Sequence, residues 1–342
     1  MVFGAWTMHN PDLDDIQKRF FLSLGAIWIA VLVARPFTKV TINYQEFSVS
    51  ILMILLIACA GYGLGRLGFA LFRAISGLIA GLFLIMLPMV AANYMAMSFN
   101  MPLADDLLVK MDTAIGFDWH SFIAFVDAQP WLAEAFGQAY QSFLIQVALV
   151  PVLLTLLGYT RRAHAFMIAY GLLALLAAVV AIWFPAYGTY THYGYAEGQL
   201  ANINNYFGYE FIQHFEAVRS SETFHVSSQA MSGILTFPSV HAGVAYLLIW
   251  ATWTSVWLRY PFLLINVTMA IAAVVNANHY FIDIVASIPL AILCVVMVKQ
   301  IFRLGGTFDK ASDAELAQLP GSMRPADPKI LGAGSGANPS QC

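Results

Sequence analysis

Eight long apolar runs, separated by shorter polar segments, dominate the pattern of hydrophobic and polar positions along the chain. A membrane-spanning helix needs about 20 mostly apolar residues, and the runs reach or approach that length. They are continuous rather than alternating, which excludes a membrane β-barrel. The pattern therefore predicts an all-α polytopic membrane helix bundle of about eight transmembrane helices. The runs cover residues 20–34, 49–65, 75–97, 133–157, 163–184, 238–258, 261–277 and 281–301.

The composition supports this prediction and excludes several classes of protein. Hydrophobic residues make up 60% of the 342 residues and charged residues 10%, against about 45–50% and about 25% in soluble domains. So few charges cannot cover a water-exposed surface, which excludes a soluble enzyme, a disordered protein and a nucleic-acid-binding protein. The net charge of −3 is too small to indicate a charged macromolecular partner. The three cysteines are too scattered for a disulfide framework or a zinc site.

The distribution of Lys and Arg predicts the orientation of the helices, because cytoplasmic loops carry more of these residues than external loops do. With a cytoplasmic N-terminus and eight spans, twelve basic residues lie inside and four outside. Both termini are then cytoplasmic, and the two longest connections, 100–130 and 186–235, are external. Apolar residues at helical spacing in the first connection predict an interfacial helix. The four external basic residues are Arg35, Lys39, Lys110 and Arg219.

The strongest chemical signal lies at the external end of the last predicted span. Asp283 is the only acid between residues 231 and 301, and an ionisable group in a span costs about 2.5–3.5 kcal/mol. His279 precedes it by four residues, so the two side chains share a face if the helix begins near His279. A carboxylate that accepts from one imidazole nitrogen raises the basicity of the other. The pair is therefore a candidate nucleophile or base.

A second histidine, His241, opens the predicted span 238–258. Pro238 suits the first helical turn, where its missing N–H is not needed, and Ser239 is a candidate cap. The free N–H groups of Ser239, Val240 and His241 would then form a site for an anion such as phosphate. The predicted orientation places His241 at the same external face as His279. Neither the count of spans nor the argument from the helix start required this agreement.

Two further interpretations of these residues stay open at this point. His241 and His279 could be hydrogen-bonded core histidines, with Asp283 paired to a polar neighbour. The three side chains could also ligate a metal, but a fourth ligand is not evident in the sequence. We therefore expect no metal and no other cofactor.

The motifs around these residues resemble a known family. Pro238-Ser239-Val240-His241 resembles the Pro-Ser-x-His motif of the type 2 phosphatidic acid phosphatase superfamily, and His279-x-x-x-Asp283 resembles the end of its last motif. The sequence around these motifs, together with residues 112–119, is most similar to the branch of inositol-phosphorylceramide synthases, or inositolphosphotransferases. The resemblance implies a six-helix catalytic core, which predicts N-terminal helices at 1–72 and a catalytic membrane domain at 73–303. The content of Gly, Pro, Ala and Ser predicts a disordered cytoplasmic tail at 304–342.

The resemblance also implies a mechanism without a metal. His279, oriented by Asp283, attacks phosphorus and forms a phosphohistidine, while His241 protonates the leaving group. His241 then deprotonates the acceptor, which is water or a lipid hydroxyl. The expected partners are a phospholipid donor, such an acceptor and the membrane itself.

The phosphate-binding residues of the better-known phosphatases of this superfamily are not found in the sequence. Their Lys-x₆-Arg-Pro motif is absent, and Ala272 and Ala273 occupy the positions of a Ser-Arg pair. This difference favours the phosphotransferase branch. As alternative substrate-binding residues we expect Ser239, Val240, Arg219, Asn278 and Gln141. Gln141 belongs to a polar stripe with Glu134 and Gln138. This stripe either lines the site or forms hydrogen bonds between helices.

Three functions follow as hypotheses. The first is a lipid phosphotransferase at the outer membrane face, the second a lipid-phosphate phosphatase, and the third a transporter or non-catalytic lipid-binding protein. The complete set of two histidines and an aspartate argues against the third, as does the lack of the repeat symmetry that transporters show. The expected location is a bacterial inner membrane, with the site facing the periplasm. The oligomeric state is not indicated.

Overall fold

A computed structural model describes residues 11–227 and 232–304 of the chain. The predicted tail, 304–342, therefore lies outside the described residues except for Leu304. The helices are α1 (Pro11–Ala34), α2 (Tyr44–Arg66), α3 (Ala70–Ser98), α4 (Asp105–Ala114), α5 (Trp119–Asp127), α6 (Pro130–Gln141), α7 (Phe143–Leu156), α8 (Thr160–Ala181), α9 (Thr189–His192), α10 (Phe207–Glu210), α11 (Ile212–Ser220), α12 (Val240–Thr252), α13 (Val256–Asn276) and α14 (Phe281–Phe302). A 3-10 turn, Arg35–Phe37, and two short strands, β1 (Val40–Ile42) and β2 (Phe224–Val226), complete the fold.

The predicted all-α polytopic bundle is confirmed. Within the described residues, α1, α2, α3, α8, α13 and α14 are long and apolar enough to cross a membrane, and α6 with α7 forms a seventh candidate bent by 55°. The protein is therefore an integral membrane protein. The short apolar helix α12 has 13 residues, about 20 Å of helix, which is less than a bilayer core.

The boundary between the sixth and seventh predicted runs differs from the expectation. The sequence placed it near residues 259–260, but α12 ends at Thr252 and α13 begins at Val256. Arg162 of α8 donates to the carbonyl oxygens of Trp250 and Ala251, in the last turn of α12, where carbonyl oxygens lack the next turn's N–H donors. Pro261 lies in the second turn of α13 rather than at its start. A buried arginine from another helix thus sets this boundary.

One end of the bundle collects the starts of α1, α3 and α8 and the ends of α12 and α14. Arg73 at the start of α3 lies 2.6 Å from Asp14 of α1. Arg19 of α1 and Arg161 of α8 donate to the last carbonyl oxygens of α14, at 2.8 and 3.0 Å. These basic residues belong to the set that the sequence assigned to the cytoplasmic side.

The opposite end contains the two long connections. The predicted interfacial helix of segment 100–130 is two helices, α4 and α5, and Asp118 caps the second through the backbone N–H groups of His120 and Ser121. Strands β1 and β2 pair in parallel, with Val40 opposite Phe224. This pairing ties the connection after α1 to the connection after α8, so both lie at the same end, as the predicted orientation requires.

The core is centred on α8, which is buried along most of its length and packs against α3, α7, α12 and α14. The contact with α12 is close because Gly243 has no side chain. A Cβ at Gly243 would lie 2.7 Å from a methyl carbon of Leu173. This contact holds α12, which begins at the candidate site, against the centre of the bundle.

Candidate active site

His279 and Asp283 form the contact that the sequence predicts. Nδ1 of His279 lies 3.1 Å from Oδ2 of Asp283, although α14 begins two residues after the histidine. The same carboxylate oxygen accepts from the N–H of Tyr280 at 3.0 Å. Asp283 is fully buried and His279 is 6% exposed. The carboxylate therefore holds both the imidazole and the backbone turn before α14.

Ser239 connects the start of α12 to this pair. It is the N-cap of α12, and its Oγ accepts from the N–H of Ala242 at 3.3 Å. The same Oγ lies 3.3 Å from Nε2 of His279, so its proton can be donated to that nitrogen. With Nδ1–H donated to Asp283, Nε2 is the nitrogen that carries the lone pair.

The predicted anion site at this helix start is smaller than expected. Pro238 precedes the cap residue instead of lying in the first helical turn. The N–H of Ser239 is not free, because it donates to the carbonyl oxygen of Asp283 at 3.3 Å. The first N–H groups of a helix have no intrahelical acceptor, so Val240 and His241 keep the donors available to an anion.

His241 is positioned by aromatic rings. Its imidazole stacks on Tyr140 with centroids 4.5 Å apart and packs on Phe143 at 4.3 Å. His241 and His279 line one cavity of about 230 Å³ between the bundle and the external connections. Burial lowers the pKa of His279 to about 3, with His241 adding to the shift and the backbone of Thr236 opposing it. His279 is therefore neutral and able to act as a nucleophile.

The cavity has a polar end and apolar walls. Its volume is enough for a phosphate and an adjoining polar group. Val240 and Asn278, two of the predicted substrate-binding residues, are in its lining. Apolar side chains from three helices complete the walls, namely Met86, Met89 and Val90 of α3, Leu144 of α7 and Ala174 of α8.

Asn278 has a second role that the sequence did not indicate. Its Oδ1 accepts from the N–H of Tyr190 at 3.0 Å, and its Nδ2 donates to the carbonyl oxygen of Gly208. Its own carbonyl oxygen accepts from Thr189 at 3.3 Å. Gly188 has φ +84°, and a Cβ there would lie 2.1 Å from that oxygen. The residue before His279 is thus fixed to the second external connection.

Two buried aspartates of α4 hold the turn from the other side, and sequence reasoning missed both. Asp112 accepts from the N–H groups of Phe281 and Ile282, at 3.0 and 2.7 Å. Burial raises the pKa of Asp112, and these two hydrogen bonds oppose the shift. Asp105, seven residues earlier and so on the same face of α4, accepts from the Tyr280 hydroxyl at 2.8 Å.

Asp105 also binds the second external connection. It accepts from the backbone N–H groups of Tyr187 and Gly188, at 3.1 and 2.8 Å. The sequence did contain a signal for these two acids, namely their spacing of seven residues in a predicted interfacial helix. Burying a carboxylate is costly unless it is paired, so two acids on a buried helix face indicate hydrogen-bond partners.

The structure does not bring Arg219 and Gln141 to the cavity. Arg219 donates to the carbonyl oxygen of Met101 at 2.9 Å and lies over the ring of Phe215. Burial lowers the pKa of Arg219, and the neighbouring Tyr187 opposes the shift. Gln141 is exposed at the end of α6, outside the cavity lining.

The polar stripe to which Gln141 belongs also lies on the exposed face of α6. Gln138 donates to Glu134 at 2.6 Å there. The buried polar contacts in this region lie one turn further along, where Gln146 accepts from Asn266 of α13 at 2.8 Å.

The fold and this site define a class of protein: a polytopic helix bundle with two histidines and an aspartate at the starts of two helices, α12 and α14, at one end of the bundle. The sequence profile of the PAP2 superfamily matches residues 106–297, which is more than half of the chain and includes His241, His279 and Asp283. The chain belongs to the PAP2 superfamily. Its members are phosphatases or phosphotransferases, so the protein is an enzyme of phosphatase-like lipid phosphoryl chemistry. The chain has no significant match among curated proteins or among solved structures.

Proposed function

We propose that the protein is a lipid phosphotransferase of the inositol-phosphorylceramide synthase type, which moves a phospho-headgroup between lipids through a phosphohistidine. One observation carries the proposal: His279 donates from Nδ1 to Asp283, while its Nε2 is left with a lone pair at a cavity that His241 also lines. A buried, neutral imidazole in this tautomer is a nucleophile, and the second histidine is the acid and base that two successive displacements need.

In the first step, Nε2 of His279 attacks the phosphorus of the donor lipid. A P–N bond forms, the P–O bond to the donor's lipid alcohol breaks, and His241 gives its proton to the departing oxygen. Asp283 stabilises the positive charge on the imidazole of His279 by accepting from Nδ1–H, as the orienting aspartate of serine proteases does. The N–H groups at the start of α12 stabilise the added negative charge.

In the second step, an acceptor alcohol takes the place of the first alcohol. His241 removes the proton of its hydroxyl, the new P–O bond forms, and the P–N bond to His279 breaks. The apolar walls formed by α3, α7 and α8 support a lipid alcohol as acceptor. If water takes its place, the same residues release the phospho-headgroup, and with a lipid phosphate monoester as donor they release inorganic phosphate, which is the lipid-phosphate phosphatase reaction.

We further infer that the site faces the periplasm of a bacterial inner membrane and that both termini are cytoplasmic. The basic residues Arg19, Arg73 and Arg161 lie together at the opposite end of the bundle from the site. Because cytoplasmic ends of membrane proteins are enriched in Lys and Arg, this arrangement supports an external active site.

The test is product analysis with purified protein in EDTA. The protein is incubated with headgroup-labelled phospholipids, with or without a lipid alcohol such as ceramide, and the lipids are separated. Label that moves to the lipid alcohol supports the transferase, and release of a water-soluble phospho-headgroup alone indicates that water is the acceptor. Release of inorganic phosphate from a labelled lipid phosphate, measured in parallel, indicates the phosphatase. The His279→Ala protein is the blank. If activity is lost in EDTA and one divalent ion restores it, the metal-free mechanism is wrong, provided that the ion does not act on the headgroup.

A further inference from the structure

Three polar side chains other than the two histidines line the cavity without a hydrogen bond. They are Asn93 of α3, Tyr140 of α6 and Tyr170 of α8. Their exposed fractions are 8%, 8% and 6%. Oδ1 of Asn93 is enclosed and has no hydrogen-bond partner among the described residues. The hydroxyls of Tyr140 and Tyr170 have no protein partner within the described part of the chain either, and they are accessible from the cavity.

Buried polar groups of this kind are normally paired, because an unsatisfied donor or acceptor in a protein interior is costly. One such amide, together with two phenol hydroxyls that have no protein partner in the described part of the chain and open to the same cavity, indicates that an occupant supplies hydrogen-bond partners. We propose that Asn93, Tyr140 and Tyr170 form a binding subsite for a neutral hydroxyl- or carbonyl-bearing part of the lipid substrate, next to the transferred phosphate. The inference rests on the proposed function and names the chemistry that the same site recognises.

The absence of charged side chains among the described residues around the cavity indicates that the recognised part of the substrate is neutral. None of the described residues in the lining is Lys, Arg, Asp or Glu. A carboxylate of the substrate would therefore be desolvated there without a counter-charge. An amide and two phenols can each both donate and accept hydrogen bonds, which matches a hydroxyl group, an ester or an amide.

The position of the three residues connects the subsite to the reaction. Tyr140 stacks on the imidazole of His241, the residue that we assign to the departing and the incoming alcohol. On α3, Met86, Met89 and Val90 precede Asn93 by seven, four and three residues, so they share its helix face. Asn93 is thus the polar residue at the end of a row of apolar side chains on this helix face. The neutral group could belong to the linker of a lipid alcohol or to a hydroxylated headgroup, and the experiment separates these two sources.

The experiment compares Tyr170→Phe and Asn93→Leu with a matched control. Tyr170→Phe removes one oxygen and keeps the ring, so it tests the subsite even if Asn93→Leu fails to fold. The control is Tyr260→Phe, which removes a phenol hydroxyl from the 65% exposed Tyr260 on α13. Three activities are measured for each protein: hydrolysis of nitrophenyl phosphate, transfer to acceptor alcohols with and without a second hydroxyl or amide, and transfer from donors with and without a hydroxylated headgroup.

We expect Tyr170→Phe and Asn93→Leu each to raise KM about three- to tenfold for lipids that carry the recognised group. KM for the matched lipid without that group, and nitrophenyl phosphate hydrolysis, should stay at the control values. An effect confined to acceptors identifies the lipid alcohol as the source, and an effect confined to donors identifies the headgroup.

Two results would overturn the inference, and they are distinguishable from failure of the proposed function. If both variants behave like Tyr260→Phe with every lipid, or if all substrates including nitrophenyl phosphate lose activity equally, the three residues form no such subsite. If the unmodified protein has no phosphoryl-transfer or hydrolase activity at all, the proposed function fails and the subsite fails with it.

Discussion

Asp112 caps the helix that carries the catalytic aspartate: its Oδ1 lies 2.7 Å from the backbone nitrogen of Ile282. The other carboxylate oxygen accepts from Phe281, so the first two N–H groups of α14 are satisfied by a side chain from α4. A negative charge also interacts favourably with the positive end of the helix dipole. Helix α4 therefore fixes where α14 begins, and with it the position of Asp283 relative to His279.

We expect Asp112→Ala to lower kcat substantially while KM changes little, because the displaced start of α14 misaligns His279 after the lipid has bound. The loss of the cap should also cost about 1 kcal/mol of folding stability. Asp118→Ala is the matched control, since Asp118 caps α5 in the same way and is exposed away from the cavity. Its stability loss should be similar and its kinetics unchanged. Equal kcat values in the two variants would show that Asp112 only stabilises the fold.

Gly188 allows a second positioning contact to be tested. Its φ is +84°, and a Cβ would lie 2.1 Å from the carbonyl oxygen of Asn278, directly before His279. Gly194 has a similar φ of +74° but open space around its Cβ position. Gly194→Ala should therefore cost about 1 kcal/mol for the backbone conformation alone and remain active.

Gly188→Ala carries the same backbone cost and also displaces residues 278–280, so we expect a larger loss of stability and a loss of turnover. Thermal unfolding and lipid turnover of the two variants in the same detergent provide the comparison. If both variants were equally active, the contact between Gly188 and Asn278 would not position the nucleophile.

The sequence was sufficient for the local part of the site. His279 and Asp283 are four residues apart at a helix start, and Ser239 caps the helix beside His241, so helical geometry alone brings these groups into their positions. The aspartates of α4 were not predictable in this way. Asp105 meets a residue 175 positions later in the chain, and periodicity carries no information about such a contact.

The polar stripe of α6 shows a second limit. Its spacing correctly indicated that Glu134, Gln138 and Gln141 share one helix face, but not what that face meets. The helix bends by 55° before α7 begins, which leaves the stripe exposed. The strands were also missed, because three-residue segments such as Val40–Ile42 give too short a pattern to distinguish from a loop.

The low pKa of His279 predicts the pH dependence of the reaction. The nucleophile must be neutral, and a pKa of about 3 keeps it neutral well below the ordinary range of histidine. For a phosphodiester lipid, whose own charge is constant, kcat/KM should therefore not fall between about pH 7 and about pH 5 through protonation of His279. A decrease with a midpoint near about 6.5 would mean that His279 titrates as an exposed imidazole does.

The orientation can be tested by cysteine labelling in a background without Cys59, Cys294 and Cys342. Lys39→Cys and Glu222→Cys lie in the two connections that β1 and β2 join, and both positions are exposed. We expect both to react with an impermeant thiol reagent in intact cells. Arg66→Cys, at the opposite end of α2 from Lys39, should react only after lysis. The reverse pattern would place the active site on the cytoplasmic side.

The roles of the two histidines can be separated with a good leaving group. His279→Ala should remove both turnover and the covalent phosphoenzyme, because the proposed P–N bond forms on Nε2 of His279. His241→Ala should mainly slow departure of the lipid alcohol and activation of the acceptor. Nitrophenolate needs little protonation to leave, so a nitrophenyl phosphodiester should restore part of the activity of His241→Ala and none of that of His279→Ala. A phosphoenzyme in His279→Ala would contradict this assignment.

Asp283→Asn tests the third member of the site without changing its shape. The amide cannot stabilise the imidazolium as a carboxylate does and can favour the wrong tautomer of His279, so turnover should fall by up to about 10⁴-fold, as for the orienting aspartate of serine proteases. A fully buried carboxylate is costly, and its Oδ1 has no hydrogen-bond partner among the described residues. Folding stability of Asp283→Asn should therefore be equal or higher. A stable variant with full activity would show that Asp283 does not orient the nucleophile.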